Sequence, residues 1–303
     1  MAEEDAVAGW RSQSGVTALD QAANLVEHLP RSLAAMRTVS QRLVAHYAAD
    51  AEHGPVRGPR LGEVDTRYAD ELWSRIRELG HPLQQREPSW EQRVVGCCRD
   101  FAVLYVSMAR QHGWAARMRV GYAGYFAPGW WLDHAIAEVW DERERRWRLI
   151  EPEVSDAFAA AHPFDPLDVP ASLFLTGARA WLAARQGDMD PERFVVAPDL
   201  AIPYTRGWLS LRHHVVVDHA ALAKAEMLLW DQWGILRGDD PLADAGLCDA
   251  LAQDLAASDP LVAVVQHWAR VDGIGVPEVV TSYSPVSDEP LSVDVRRTKA
   301  RML

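Results

Sequence analysis

Gly96-Cys97-Cys98-Arg99-Asp100-Phe101-Ala102-Val103-Leu104-Tyr105-Val106-Ser107-Met108-Ala109-Arg110-Gln111-His112-Gly113 is the stretch on which the fold turns. From Cys98 to Gln111 it reads as a helix, with Phe101, Leu104, Tyr105, Met108 and Ala109 on one face and Gly113 as its stop. Residues 116–126 then alternate as a strand does: Met118, Val120 and Tyr122 point one way, Arg117, Arg119 and Gly121 the other. Pro128 and Gly129 break that strand. Residues 134–141 make a second strand around Ile136 and Val139, the charged run 142–146 a hairpin-like turn, and 147–150 a third strand closed by Pro152. One helix followed by three strands is most economically an antiparallel sheet stacked on a central helix, which is an α+β design.

Outward from this core the chain is helical. Upstream, residues 19–28 and 32–49 show apolar residues at three- and four-residue spacing, separated by Pro30. A loop is expected over 53–60, where Gly54, Pro55, Gly58 and Pro59 cluster. A helix over 65–79 has Asp65 as N-cap and Gly80 as stop, and a polar connection through Pro82 and Pro88 leads to the core. Downstream, helices are predicted over 177–185, 209–230, 244–256 and 260–271, with an extended or loose end after Ser282. The expected organisation is an N-terminal helical region (1–88), a core (89–165) and a C-terminal helical extension (166–303), integrated as one domain. No internal repeat or low-complexity tract interrupts it.

The bulk properties narrow the partners. The 303 residues carry a formal net charge of −12, with 49% hydrophobic and 24% charged residues, which is globular composition. An acidic surface repels nucleic-acid phosphates and anionic lipid, so neither is an expected partner. The basic cluster Arg296, Arg297, Lys299 and Arg301 reads as a solvated tail. Lys224 and Lys299 are the only lysines, a bias that with the alanine content points to a GC-rich genome rather than to function. Three cysteines, two of them adjacent, do not make a disulfide scaffold. Residues 1–10 lack the apolar stretch of a signal peptide, and no apolar run reaches the roughly 18 residues of a membrane span. The expectation is a soluble protein of a reducing cytoplasm.

The chemistry centres on Cys98. A cysteine nucleophile attacks as the thiolate, and a helix N-terminus favours an anion. Cys98 stands where the helix begins, just after Gly96. It needs a base, and the base needs an orienting acceptor. His134 opens the second strand and Glu151 closes the third. If those strands pair antiparallel, histidine and carboxylate share one sheet edge.

Three segments bear a resemblance. Gly96-Cys97-Cys98-Arg99-Asp100-Phe101-Ala102, with Leu104, Ala109-Arg110-Gln111-His112-Gly113-Trp114-Ala115-Ala116-Arg117 and Gly121-Tyr122, resembles the core of transglutaminase-like proteins. In that family a glycine, any residue and the nucleophilic cysteine precede a short helix, a Gly-Ile-Pro-Ala-Arg-like turn and a strand ending in Gly-Tyr. His134-Ala135-Ile136-Ala137-Glu138-Val139-Trp140 resembles the family's His-Ala-Trp-x-Glu-Val strand. Trp147-Arg148-Leu149-Ile150-Glu151-Pro152 resembles its Trp-x-x-x-Asp-Pro segment. The resemblance covers residues 90–155 and implies a papain-like fold with a Cys98–His134–Glu151 triad. Two positions depart from the pattern: Glu151 replaces the usual aspartate, and Ile136 the tryptophan after the histidine. Residues 218–233, with Lys224, Glu226 and Asp231, followed by Gly234, also resemble the C-terminal part of a bacterial subfamily.

Other residues have competing readings. Cys97 is the alternative nucleophile, read instead as a buried small side chain. Asp133 and Asp141 compete with Glu151 as the orienting carboxylate, and Asp133 is also a candidate for the substrate pocket. The Cys98 backbone N–H is the default oxyanion donor, and Gln92, six residues upstream, is a side-chain candidate at a spacing resembling papain-like proteases. Trp90, Trp130 and Trp131 are candidates to line an acyl pocket, the last two from the loop before His134. His213, His214, Asp218 and His219 cluster on the long helix, with His214 and Asp218 one turn apart. They lack the His-Glu-x-x-His pattern, so solvated or hydrogen-bonded roles are expected, with no metal and no cofactor. The expected chemistry is acyl transfer through a thioester. Water as acceptor makes an amidase or peptidase, and an amine makes an acyltransferase, cross-linker or cyclase, acting on a small molecule or peptide. The alternative is a transglutaminase-like interaction module without catalysis. Nothing in the sequence reads out an oligomeric state.

Overall fold

The computed structural model describes residues 7–48, 55–83, 87–162, 164–257 and 262–303. Helices and strands mix as an α+β protein, in two compact units interleaved along the chain. The first comprises Met1–Met118, Ile136–Val169 and Ser284–Glu289, and the second Arg119–Ala135, Pro170–Tyr283 and Pro290–Leu303.

In the first unit, α1 (Ala23–Glu27) and α2 (Leu33–Leu43) replace the longer helices expected over 19–28 and 32–49. The second ends early because the chain turns extended at Val44 and enters β1 (Val44–His46). Valine's branched side chain suits a strand better than a helix end. The turn Pro59–Asp65 is a 3-10 helix, so Asp65 closes it rather than capping α3 (Ala69–Glu78). Residues 53–54 of the expected loop, and the 260–261 start of the last long helix expected, lie outside the described residues. Gly80 stops the chain as expected, at φ +67°.

β2 (Val94–Gly96) pairs parallel to β1, with His46 opposite Gly96. It leads directly into α4 (Cys98–Gln111), whose bounds are those read from the sequence. The sequence shows one apolar face, yet every residue from Cys98 to Arg110 is buried. The polar ones are therefore bonded internally, as burial demands. Arg99 donates to the Thr66 and Arg67 carbonyls and to Asp100. Arg110 donates to the Ala116 carbonyl and the Thr17 hydroxyl. Helices α1, α2 and α3 pack around α4.

β3 (Ala116–Ala123) is buried along its whole length, so its second face is covered too. Arg117 pairs with Glu138 and lies between Trp10 and Trp147, its guanidinium carbon 4.8 and 3.8 Å from the ring centroids. β4 (Trp131–Asp141) starts three residues before the expected strand, and β5 (Arg146–Ile150) pairs antiparallel with it, Ala137 opposite Ile150. After β5 the chain passes into α5 (Asp156–Ala161).

The second unit adds strands the sequence reading did not find. β6 (Phe174–Thr176) pairs antiparallel with the end of β3, and β7 (Phe194–Val195) pairs parallel with the start of β4. The sheet order is β5-β4-β3-β6, with β7 beside β4. Gly121 is required at this crossing: a Cβ there would stand 2.0 Å from the Leu175 carbonyl oxygen. Helices α6 (Gly177–Gln186), α7 (Gly207–Leu222), α8 (Ala245–Ala256) and α9 (Val262–Trp268) pack together. The expected helix over 209–230 stops at Leu222, because Lys224 turns left-handed at φ +65°. The Lys224 and Ala225 N–H groups close onto the Ala221 and Ala220 carbonyls. β8 (Asp231–Gln232), β9 (Val279–Ser282) and β10 (Leu291–Asp294) form a second sheet. α10 (Arg296–Lys299) holds three of the four basic residues near the C-terminus. Among the described residues no helix is long and apolar enough to cross a membrane.

Candidate active site

Cys98 is the first residue of α4, and Cys97 is its N-cap in extended conformation (φ −127°, ψ −176°). A reciprocal capping box closes the turn. The Cys97 sulfur accepts the Asp100 N–H, and Asp100 Oδ2 accepts the Cys97 N–H at 2.9 Å. The Cys97 side chain is thus engaged as a cap. Asp100 is fully enclosed: burial pushes its carboxyl above the usual range, and Arg99, 2.9 Å away, opposes that. Gly96 makes the arrangement sterically feasible, since a Cβ there would stand 2.6 Å from Asp100 Oδ2. No disulfide joins any of the three cysteines. Cys98 is 7% exposed, Cys97 4% and Cys248 0%, and burial pushes the Cys248 thiol up to about 12. Access and reactivity therefore both disfavour Cys248.

Glu151 belongs to the same unit and is completely buried. It immediately follows Ile150, the partner of Ala137 on β4. Its N–H donates to the Pro166 carbonyl at 2.8 Å, its Oε1 accepts the Glu153 N–H at 2.9 Å, and its carbonyl accepts from Arg37 Nε at 2.8 Å. The competing Asp141 is a turn residue. It accepts the Glu144 and Arg143 N–H groups and pairs with Arg148, and these bonds hold its carboxyl below the usual range.

His134 lies on β4 in the second unit and is 2% exposed. Its ring meets Phe126 edge-on at 4.9 Å, with Tyr125 and Phe174 at 6.2 and 6.5 Å. An aromatic surround of this kind limits the rotamers open to the imidazole. Asp133 precedes it and is half-buried. Desolvation pushes the Asp133 carboxyl up to about 6, with the charge of His134 opposing.

Residues 72–152 match the model of the transglutaminase-like superfamily. That segment is similar to the family's core. It holds β2, α4, β3, β4 and β5, and with them Cys98, His134 and Glu151. No curated protein matches the chain. Among solved structures, that of a candidate cysteine protease from Cytophaga hutchinsonii is similar at 15% identity and a TM-score of 0.33, over 56% of this chain. The chain spans 45% of the length of that protein.

The other residues named from the sequence have partners of their own. Gln92 is engaged at both ends of its amide: Oε1 accepts the Ser89 N–H, and Nε2 donates to the Gly80 carbonyl at 2.8 Å. One of the two Nε2 hydrogens is thus used at Gly80. Trp90 lies under the Arg60 guanidinium, at 5.0 Å. Trp130 lies in a turn with Arg193 over its ring at 5.0 Å. Trp131 is not a loop residue: it opens β4 and stacks on Phe194, with Gly124 leaving room for its ring.

The polar cluster on α7 diverges instead of converging. His213 faces the Leu229 carbonyl, His214 the Ser210 carbonyl and Tyr122 hydroxyl, and His219 the Val265 carbonyl. Asp218 accepts from Arg119 twice, at 3.0 and 2.8 Å, and from the Val120 N–H. Burial lowers His213 to about 4 and His214 to about 3, which keeps both neutral. Among the described residues no group of three or more His, Cys, Asp or Glu is placed to hold a metal ion. The sequence reading missed Arg37, which reaches Glu151 across 114 residues of chain, a separation no local pattern signals.

Proposed function

We propose that the chain is a cysteine-dependent acyl-transfer enzyme, with Cys98 as nucleophile, His134 as base and Glu151 as the carboxylate that orients the histidine. The observation that carries this reading is the place of Cys98, the first residue of a buried helix inside the transglutaminase-like segment. The N–H groups and dipole of a helix start stabilise a thiolate there. Two further observations support it. Glu151 is fully buried one residue beyond the Ala137–Ile150 pair, and His134 lies on the same strand as Ala137.

In the proposed reaction the Cys98 thiolate attacks the carbonyl carbon of an amide, ester or thioester. A C–S bond forms, and the carbonyl electron pair moves to oxygen, where the Cys98 N–H meets the charge. The tetrahedral intermediate collapses to a thioester as the bond to the leaving group breaks, and His134 gives that group its proton. Water or an amine then attacks the thioester, His134 takes its proton, and the Cys98 thiolate leaves. Water gives an amidase or peptidase outcome, an amine an acyltransferase or cyclase outcome. The substrate is proposed to be a small molecule or peptide. The proposed compartment is a reducing one, in which a cysteine nucleophile stays a thiol.

The test is to trap the thioester. The protein is incubated with a panel of nitrophenyl esters, thioesters and amides, quenched in acid and weighed by intact mass spectrometry. The proposal expects an acyl adduct on Cys98 that is absent in Cys98→Ala. No adduct from any donor, or one on Cys97 or Cys248, would overturn it.

A further inference from the structure

We propose that Arg37, which lies outside the transglutaminase-like segment, is a positioning residue for Glu151. The inference rests on the triad reading and extends it to the N-terminal helical region.

Arg37 lies on α2 and is 4% exposed. Its guanidinium contacts three acceptors in one short stretch. Nε donates to the Glu151 carbonyl at 2.8 Å, Nη2 to the Val154 carbonyl and Nη1 to Asp156 Oδ1. Gln41, one turn further along α2, donates to the same Val154 carbonyl. The stretch needs such a grip. β5 ends at Ile150, Pro152 has no N–H to donate, and α5 does not start until Asp156. Between the strand and the helix, a planar fork of donors fixes the Glu151 and Val154 carbonyls at a defined spacing. The Glu151 carboxylate follows from that backbone, because its Oε1 accepts the Glu153 N–H inside the gripped stretch.

A buried arginine serving only to hold helix to loop would affect stability alone. A positioning residue also affects the histidine that the carboxylate orients, and hence the thiolate. The readout is therefore the pH dependence of Cys98 alkylation by iodoacetamide, mapped by mass spectrometry, with native fold checked by circular dichroism. The proteins compared are wild type, Glu151→Gln, Arg37→Met, Arg37→Lys, Gln41→Leu, the double variant Arg37→Met with Glu151→Gln, and Arg117→Lys. Arg117 is another buried, ion-paired arginine of the same unit, bonded to Glu138.

The expected result is that Glu151→Gln slows alkylation at pH 6 by roughly tenfold, the effect of one unit on a thiolate population. Arg37→Met should slow it by at least about a third of that factor, and the double variant no more than Glu151→Gln alone. Arg117→Lys should lower the melting temperature and leave the profile in place. If Arg37→Met does not fold, Arg37→Lys, which keeps the charge but loses the fork, decides by the same criterion. A folded Arg37 variant with a wild-type profile, while Glu151→Gln is slowed, overturns the positioning role and leaves the triad standing. A wild-type profile in Glu151→Gln overturns both.

Discussion

Replacing Gly96 by alanine tests how the nucleophile's helix is started. Gly96 has an ordinary negative φ, so the backbone itself tolerates alanine. With no other effect, the substitution would stabilise the protein by about 0.4–1 kcal/mol through the unfolded chain. The obstacle is one side chain. All three nearest atoms to a Cβ at Gly96 belong to Asp100: Oδ2 at 2.6 Å, Cβ at 3.0 Å and Cγ at 3.1 Å. To make room, the Asp100 carboxylate must leave the Cys97 N–H. Losing a cap costs about 0.5–2 kcal/mol, and forcing atoms into a packed site about 1–3 kcal/mol. Gly96→Ala should therefore destabilise by about 2–4 kcal/mol in equilibrium urea unfolding. The decisive comparison is a double-mutant cycle with Asp100→Ala, which removes Oδ2 and Cγ and leaves only the Cβ, at 3.0 Å. In that background Gly96→Ala should cost less than about 1 kcal/mol. An equal cost in both backgrounds, or a cost under about 0.5 kcal/mol in the wild type, would refute the steric account.

Two further predictions concern the second unit. Asp218→Ala strips Arg119 of both its carboxylate bonds and Val120 of its acceptor. Removing the carboxylate of a buried ion pair should cost about 3–5 kcal/mol in thermal or urea unfolding, and Arg119→Met with Asp218→Leu should recover most of that. Asp133 has a folded-state pKa of about 6, raised by burial from 3.8. Its protonated form therefore stabilises the fold, fully below about pH 4, and that contribution is lost as pH rises through 6. Measured against Asp133→Asn, the wild type should lose roughly 1–3 kcal/mol of stability between pH 4 and 7.5. A difference that stays constant over that window would contradict the desolvated environment.

The central helix and the strands that follow it are the part of the fold most plainly written in the chain. α4 is bounded locally, by Gly96 and the Cys97–Asp100 box at one end and Gly113 at the other, so its limits could be read residue by residue. The hairpin of β4 and β5 was equally readable, because Asp141 and the charged run after it make a self-contained turn. What escaped depends on distant partners. β6 and β7 are three and two residues long and exist because β3 and β4 accept them. The early end of the long helix rests on a left-handed lysine where a glycine would have announced it. Of the proposed site, Cys98, His134 and Glu151 are named by motif and order alone. The burial of Glu151, the engaged amide of Gln92 and the grip of Arg37 come only from the folded chain.

The most direct test of the account is the rate of Cys98 alkylation by iodoacetamide between pH 5 and 9, in wild type and in His134→Ala. The account predicts fast modification of Cys98 below pH 7, slowed at least roughly tenfold at pH 6 when the imidazole is removed. A Cys98 that is inert, or that titrates near 8.5 like a free thiol in both proteins, would contradict it and favour a transglutaminase-like binding module instead.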